Sequence, residues 1–210
     1  MKSILFDLDG TLVNSSSGIK SSFRYTFEQL NLTVPDDKVL STFIGPPLET
    51  TFSNLFRSEE LVKKAIAYFR LYYKEKGVHD VFVYQGIYGA LTDLKAANYE
   101  LYVTTSKNES MAQFMLDELG LSKFFKAIYG ATPHRFKKDD VIRACLLSEN
   151  INQNEALIIG DTKFDIIGGI SAGIKTLGIT WGSGLEADLL NSGADKICHS
   201  PDNIKKVLTF

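Results

Sequence analysis

Short runs of consecutive apolar residues alternate along the chain with longer stretches in which apolar residues recur every three or four positions. The first run covers residues 4–6 and ends abruptly at Asp7. Comparable runs follow at residues 101–104, 127–129, 157–159 and 176–179. Short apolar runs separated by helical periodicity are typical of buried parallel strands joined by helices. The pattern predicts an α/β fold, with a Rossmann-like three-layer core and a mostly parallel sheet.

One long interval, residues 15–81, departs from this alternation. It contains no convincing strand, only the spacing of amphipathic helices, as at Ile19, Phe23 and Phe27. We therefore expect a helical cap domain over residues 15–81, inserted after the first strand into a core formed by residues 1–14 and 82–210. Near the other end, residues 192–197 predict a turn into a last edge strand, and residues 203–208 predict a closing helix.

Composition and charge narrow the possible partners. The 210 residues are 44% hydrophobic and 23% charged, as in ordinary globular proteins. With 23 basic against 25 acidic side chains, no basic excess exists to drive binding to nucleic acid. No uncharged apolar run approaches the roughly 18 residues of a membrane span, and Asp7 interrupts the first apolar run too early for a signal peptide. We expect a cytoplasmic protein with no nucleic-acid or membrane partner.

The polar residues that follow the predicted strands are the candidates for a functional site, because ligands bind at the carboxyl ends of the strands in open parallel sheets. Two neighbouring lysines that open a predicted helix join them. The full set is Asp7, Asp9, Thr105, Ser106, Lys137, Lys138, Asp161 and Asp165. Taken singly, each has a simpler interpretation: a turn at Asp9-Gly10, a helix N-cap at Thr105-Ser106 or at Asp161-Thr162, and a solvated surface at the lysines.

Taken together, these residues indicate phosphoryl chemistry. Several carboxylates at one sheet edge cannot all ionise without a cation, and Mg²⁺ prefers oxygen ligands supplied by carboxylates and phosphate. Hydroxyl and N–H groups at a helix start bind anions, and a lysine ammonium stabilises a phosphoryl group in transfer. The expected cofactor is therefore Mg²⁺, and the expected ligand is a small-molecule phosphate ester.

The same segments resemble, in order, the four motifs of the haloacid dehalogenase-like hydrolases. The motifs are Asp7-Leu8-Asp9-Gly10-Thr11-Leu12, Thr105-Ser106-Lys107, Lys138, and Gly160-Asp161-Thr162-Lys163-Phe164-Asp165. Three further segments are similar to the phosphoglycolate phosphatase-like branch of that family: Phe43-Ile44-Gly45-Pro46-Pro47-Leu48, Trp181-Gly182 and Gly193-Ala194-Asp195. That branch carries a helical cap just after the first motif, at the place where the helical interval occurs here.

The resemblance implies a role for each carboxylate. Asp7 would be the nucleophile that forms an aspartyl-phosphate, and Asp9 would protonate the leaving alkoxide and then activate water. Asp7, the main-chain carbonyl of Asp9 and Asp161 would hold Mg²⁺, with Asp165 adjusting the site from just outside these ligands.

The resemblance also assigns the groups that bind phosphate. Thr105 and the N–H of Ser106 would bind the phosphoryl oxygens, and a lysine would neutralise their charge and orient the nucleophile. The offset to Val141-Ile142 favours Lys138 for that lysine, and Lys137 stays an alternative. Gly45, in the loop between cap helices, either contacts the substrate or only connects the helices.

These roles predict a Mg²⁺-dependent phosphomonoester phosphatase that acts on a small metabolite, in the manner of phosphoglycolate phosphatase. One alternative is a 5′-nucleotidase that acts on nucleoside monophosphates. A sugar phosphomutase shares all four motifs, and a non-catalytic module could accept a phosphoryl group on Asp7. The expected assembly is a monomer or a homodimer.

Overall fold

The computed structural model describes residues 2–208, so the ends of the predicted core at residues 1 and 209–210 lie outside the described residues. The strands are β1 (Ser3–Phe6), β2 (Val13–Asn14), β3 (Phe82–Val83), β4 (Glu100–Asn108), β5 (Ala127–Ala131), β6 (Ala156–Gly160), β7 (Lys175–Ile179) and β8 (Lys196–Cys198). The helices are α1 (Ser16–Gln29), α2 (Asp37–Ser41), α3 (Leu48–Leu55), α4 (Glu59–Glu75), α5 (Ile87–Ala96), α6 (Glu109–Glu118), α7 (Lys138–Ser148), α8 (Lys163–Ser171), α9 (Glu186–Asn191) and α10 (Ile204–Val207).

Within residues 2–208, one sheet contains six strands in the order β5-β4-β1-β6-β7-β8, and every neighbouring pair in it is parallel. The last residue of β1, Phe6, stands opposite Val103 of β4 and Ile159 of β6. Three strands therefore end side by side at one edge of the sheet. The predicted α/β fold with a mostly parallel sheet is confirmed.

Both faces of the sheet are buried, which explains why its strands lack polar alternation. In β1, Ile4 and Phe6 belong to one hydrophobic cluster, whereas Leu5 belongs to a second cluster on the other face. The second cluster contains Ile142 and Cys145 of α7. A strand covered on both sides has apolar residues at every position, as the run at residues 4–6 predicted.

The carboxyl end of β4 differs from the sequence-based alternative for Thr105-Ser106. These two residues do not cap a helix, because β4 continues to Asn108, whose side-chain oxygen accepts the N–H of Met111 at 3.3 Å and caps α6. The pairing of β4 with β5 shifts register between Thr104 and Asn108. Such irregularities re-aim side chains next to active sites. Here the irregular residues are the ones that the second motif comprises.

Helices α1–α4 come between two short strands, β2 and β3, that pair antiparallel with Val13 opposite Val83. This pair was not predicted, because a strand of two residues is too short to show a periodicity of apolar positions. Aromatic rings fill the interior of the helical segment: Phe23 lies 4.8 Å from Phe69 and 5.1 Å from Phe43 between ring centroids. The division into a core and a cap domain stays a prediction.

At the end of the described chain, β8 is the edge strand of the sheet and α10 follows it. Both elements were predicted, at residues 192–197 and 203–208. None of the helices within residues 2–208 combines the length and the apolar composition that a membrane span requires.

Candidate active site

A cavity of about 340 Å³ lies at the carboxyl ends of β1 and β4, and several of the predicted site residues line it. Asp7, Asp9, Thr105 and Ser106 line its floor on the sheet side, and residues of the helical segment line the opposite wall. The backbone N–H of Asp7 donates to the carbonyl of Ile159 at 2.9 Å, which fixes the start of the loop after β1 to the end of β6. This main-chain hydrogen bond joins the first residue of the first motif to the residue just before the fourth motif.

Lys138 is the central cation of the site. Its Nζ lies 2.5 Å from Oδ1 of Asp7, 2.6 Å from Oδ1 of Asp165 and 2.8 Å from the carbonyl oxygen of Thr104. The lysine side chain is only 6% exposed, whereas the preceding Lys137 is exposed at the N-cap of α7. The structure therefore places Lys138, and not Lys137, against Asp7.

Asp165 links this cation to the start of α8. Its Oδ2 accepts the backbone N–H of Thr162 at 2.9 Å and the Thr162 hydroxyl at 2.8 Å, while its Oδ1 faces Lys138. Thr162 is the N-cap of α8, so the helix-cap interpretation of this segment is correct in part. One carboxylate both caps a helix and holds the lysine.

Asp161 is fully buried, and hydrogen-bond donors surround it. Its Oδ2 accepts the N–H and the hydroxyl of Ser183 at 2.8 and 2.9 Å, and its Oδ1 accepts the hydroxyl of Thr11 at 3.2 Å. Neither Ser183 nor Thr11 was a candidate from the sequence. Ser183 follows β7, so the rule that polar residues after strands converge at one edge was sufficient to find it.

Carboxylate oxygens of Asp7, Asp161 and Asp165 all lie within 4.8 Å of one another. Burial raises the pKa of Asp7 to about 8 although Lys138 lowers it, and burial together with Asp165 raises the pKa of Asp161 to about 6. Three buried carboxylates with one lysine leave negative charge uncompensated, and the donors are hard oxygens. The site fits Mg²⁺. One oxygen of Asp165 faces Lys138 and the other caps α8, whereas the donors to Asp161 are uncharged hydroxyl and N–H groups. The roles of Asp7 and Asp161 as direct ligands stay predictions.

The carboxylate of Asp9 is absent from this acidic cluster because it faces another cation. Its Oδ2 lies 2.9 Å from Nζ of Lys107, and its Oδ1 accepts the hydroxyl of Ser15 at 2.5 Å. Burial alone would lower the pKa of Lys107, but Asp9 and the neighbouring Tyr73 outweigh burial and raise it. The metal role implied for Asp9 rests on its main-chain carbonyl and stays a prediction.

The predicted phosphate-binding residues lie beside Asp7. Thr105 is buried and Ser106 is half-buried, and both line the cavity. The Thr105 hydroxyl oxygen accepts the backbone N–H of Lys107 at 3.1 Å, so the irregular end of β4 closes on itself as a compact turn. A hydroxyl and main-chain N–H groups next to a buried lysine form a suitable environment for an anion.

Gly45 lies in the loop before α3 and lines the cavity. Its φ is +106°, and a Cβ at this position would lie 2.9 Å from Cγ2 of Thr162. Glycine is favoured here for both reasons, since it tolerates positive φ and allows the loop to approach the fourth motif. The loop therefore touches the site in addition to connecting two helices.

The fold and the candidate site define the class of the molecule: an α/β protein in which aspartates and a lysine meet at one edge of a parallel sheet. More narrowly, the chain belongs to the haloacid dehalogenase-like hydrolases, whose family model matches residues 4–179. The resemblance carried by the four sequence motifs is thereby confirmed.

The relatives that match this chain are named for several different activities. The chain is 32% identical over 208 residues to a 5′-nucleotidase of Pseudomonas aeruginosa, and the aligned region covers 98% of this chain and 94% of that protein. It is 31% identical over 185 residues to pyrophosphatase PpaX of Oceanobacillus iheyensis, and the aligned region covers 86% of this chain and 84% of that protein. It is 33% identical over 190 residues to tyrosine-protein kinase PtkA of Mycobacterium tuberculosis, of which it spans 65%.

Solved structures resemble the whole chain. A haloacid dehalogenase-like hydrolase of Streptococcus pneumoniae is 42% identical with a TM-score of 0.93, covering 100% of this chain and 99% of that one. A protein described as a predicted phosphatase, from Clostridium acetobutylicum, is 38% identical with a TM-score of 0.96 and the same coverage. A predicted phosphoglycolate phosphatase of Haemophilus somnus is 26% identical with a TM-score of 0.87, and the match covers 99% of this chain and 97% of that one.

The raised pKa of Asp161 predicts a pH-dependent stability in the absence of divalent cations. A carboxyl whose pKa rises from 3.8 to about 6 on folding holds its proton more tightly in the folded chain. Its stabilising contribution is therefore present below pH 4 and is lost as the pH rises through 6. We expect a loss on the order of 1–3 kcal/mol between pH 4 and 7, measured by urea unfolding in EDTA.

Asp161→Asn should flatten this part of the stability profile, because the amide does not titrate. Asp188→Asn, a change of the same kind on the exposed surface of α9, is the control and should leave the profile unchanged. Parallel profiles for the wild-type chain and Asp161→Asn would contradict the assignment.

The positions of the two lysines predict opposite outcomes for matched substitutions. Lys138→Met removes the cation that contacts Asp7 and should lower phosphate release from p-nitrophenyl phosphate by about 10²–10³-fold. Lys137→Met removes an exposed side chain and should change the rate by less than about twofold. The rates are measured in Mg²⁺ on variants with wild-type circular dichroism spectra, and equal losses would show that Lys138 has no special role.

Proposed function

We propose that the protein is a Mg²⁺-dependent phosphomonoester phosphatase that acts on a small-molecule phosphate ester through an aspartyl-phosphate on Asp7. The observation that carries this proposal is the contact of Asp7 with the buried Lys138 at the floor of a cavity that Asp9 also lines. A nucleophile and an acid–base group thus line the same cavity, and a fixed cation contacts the nucleophile.

In the first half of the proposed reaction, a carboxylate oxygen of Asp7 attacks phosphorus and the bond from phosphorus to the ester oxygen breaks. Lys138 holds Asp7 through Oδ1 and supplies positive charge next to the phosphoryl group. Thr105 and Ser106 bind the phosphoryl oxygens from the irregular end of β4. Asp9 gives a proton to the departing alkoxide, so the alcohol leaves neutral.

In the second half, Asp9 takes a proton from water, and the resulting hydroxide attacks the phosphorus of the aspartyl-phosphate. The bond from phosphorus to the Asp7 oxygen breaks, which restores the carboxylate and releases inorganic phosphate. Asp9 lies outside the acidic cluster and is held by Lys107 and Ser15, so it keeps its own hydrogen-bonding environment for both proton transfers.

Asp7 and Asp161 would hold Mg²⁺ with the main-chain carbonyl of Asp9, and Asp165 would act on the site through Lys138 and Thr162. The ion, when bound, supplies positive charge that offsets the buried carboxylates and the phosphoryl oxygens. Ser183 and Thr11 keep Asp161 oriented toward this position.

Residues 15–81 form, in this proposal, a cap that covers the cavity and excludes water during phosphoryl transfer. The close approach of the Gly45 loop to Thr162 supports it, because a Cβ at Gly45 would lie only 2.9 Å from Cγ2 of this residue in the fourth motif. We place the activity in the cytoplasm, in line with two free, buried cysteines, Cys145 and Cys198.

Two substrate classes have support. The phosphoglycolate phosphatase-like segments and the Haemophilus somnus structure favour a small acidic ester. The similarity to the Pseudomonas aeruginosa 5′-nucleotidase favours a nucleoside monophosphate. The cavity favours it too, because the cavity wall is largely apolar. Arg70, which could bind the carboxylate of an acidic ester, is instead paired with Glu49 at 2.7 Å. The apolar side chains on that wall are Ile19, Phe23, Phe43, Ile44, Leu48 and Phe69.

Substitution of the two motif-one aspartates tests the mechanism. Asp7→Asn should abolish phosphate release, because the amide cannot attack phosphorus. Asp9→Asn should lower turnover by about 10²–10⁴-fold and still allow phosphorylation of Asp7. Rates are measured with p-nitrophenyl phosphate in Mg²⁺ and in EDTA, which should abolish activity. Near-normal rates in either variant contradict the proposal, and interconversion of hexose phosphates without phosphate release would indicate a mutase.

A direct competition between substrate classes tests the apolar wall. We expect kcat/KM for a nucleoside monophosphate to exceed that for phosphoglycolate by about tenfold or more, because burying a base against aromatic side chains contributes about 1–3 kcal/mol. Phosphate release from each compound in Mg²⁺ is the measurement. Preference for phosphoglycolate would support the small acidic ester.

The loop at Gly45 predicts a change in substrate ranking. Gly45→Ala should lower kcat/KM for the preferred metabolite more than for p-nitrophenyl phosphate, since the new Cβ displaces the loop from Thr162. Gly120→Ala is the matched control: Gly120 also has positive φ, at +62°, but a Cβ there meets nothing within 4 Å. Equal loss on both substrates would mean that the loop only connects helices.

A further inference from the structure

We propose that Lys107 and Tyr73 are positioning residues that hold Asp9 ready for proton transfer and make this readiness depend on the packing of α4 over the site. The inference rests on the proposed function. Neither residue has a role in the reaction described above beyond the contact of Lys107 with Asp9.

The contacts form a continuous chain from the helical segment to Asp9. Nζ of Lys107 donates to the hydroxyl oxygen of Tyr73 at 2.8 Å and lies 2.9 Å from Oδ2 of Asp9. The same Nζ lies 4.2 Å from the centre of the Tyr73 ring, within cation–π range. The Lys107 side chain is 8% exposed and Tyr73 is 4% exposed, so water competes little for these contacts.

The second oxygen of Asp9 is tied to the helical segment as well. Its Oδ1 accepts the hydroxyl of Ser15, the N-cap of α1, which is also buried. Thus both carboxylate oxygens have donors, one from the start of α1 and one from a lysine that α4 holds through Tyr73. A carboxylate fixed at both oxygens has a defined orientation toward the cavity, which both Asp9 and Lys107 line.

The two residues that hold Asp9 in this way belong to different parts of the fold. Lys107 belongs to the end of β4, whereas Tyr73 belongs to the last turn of α4. If α4 moves away from the sheet edge, Lys107 loses its hydrogen-bond acceptor and the ring above it, and the restraint on Asp9 weakens. Asp9 is therefore held firmly only when α4 covers the cavity, at the time when a substrate is enclosed.

A loss of positioning should appear as a dependence on the leaving group. An alkoxide needs a proton to depart, whereas p-nitrophenolate departs readily without one, and kcat/KM reports the step in which the leaving group departs. Tyr73→Phe and Lys107→Met should therefore lower kcat/KM for glycerol 2-phosphate about tenfold more than for p-nitrophenyl phosphate. The control is Tyr72→Phe, one residue earlier on α4, where the ring contacts Tyr25 and not the site; it should leave both values unchanged.

Two combined variants separate positioning from structure. In the Asp9→Asn background, Lys107→Met should cause no further selective loss on glycerol 2-phosphate, because the group through which Lys107 acts is gone. Urea unfolding of Lys107→Met, Tyr73→Phe and the double variant should be non-additive, which reports their contact without any activity.

Equal losses on both phosphate esters, a further selective loss in the Asp9→Asn background, or additive unfolding energies would each overturn the inference. Absence of phosphate release by the wild-type chain would contradict the proposed function and with it this inference. The other outcomes contradict the inference alone.

Discussion

The burial of negative charge at the end of β1 is the constraint on which the rest of the site depends. Asp7, Asp161 and Asp165 lie within a few ångströms of one another, and the ammonium of Lys138 is the fixed cation between two of them. Desolvation at such a site strongly disfavours charge unless cations compensate it. Main-chain and hydroxyl donors of the surrounding loops are directed at these carboxylate oxygens, and the three carboxylates are close enough together to share a metal ion.

The topology of the sheet makes this concentration of charge possible. With β1 between β4 and β6, the first, second and fourth motifs lie side by side at the carboxyl ends of these strands, and α7 presents Lys138 to the same edge. The helical segment between β2 and β3 then supplies the opposite wall of the cavity. Residues distant in the chain, such as Tyr73 and Asp9, become linked only because both surfaces meet over this edge.

The sequence was sufficient for the sheet and for the motif aspartates, because strand runs and the residues that follow them are local signals. The family resemblance favoured Lys138, but the sequence left Lys137 as an alternative, since a helix start displaced by one residue rotates a side chain by about 100° and packing decides its direction. The sequence indicated only a packing role for Tyr73 in the interior of the helical segment, because the aromatic positions of α4 cannot be told apart before the helix is packed. Ser183, which follows β7, is also a polar residue after a strand, so the same local signal applies to it.

The most direct test of the account is a crystal structure of the protein grown with Mg²⁺ and beryllofluoride, which mimics a phosphoryl group on an aspartate. We expect beryllium bound to a carboxylate oxygen of Asp7, its fluorides against Lys138, Thr105 and Ser106, and Mg²⁺ bound by Asp7 and Asp161. Beryllofluoride bound away from Asp7, or Mg²⁺ bound without Asp161, would contradict the claim that this buried charge cluster is a phosphoryl-transfer site.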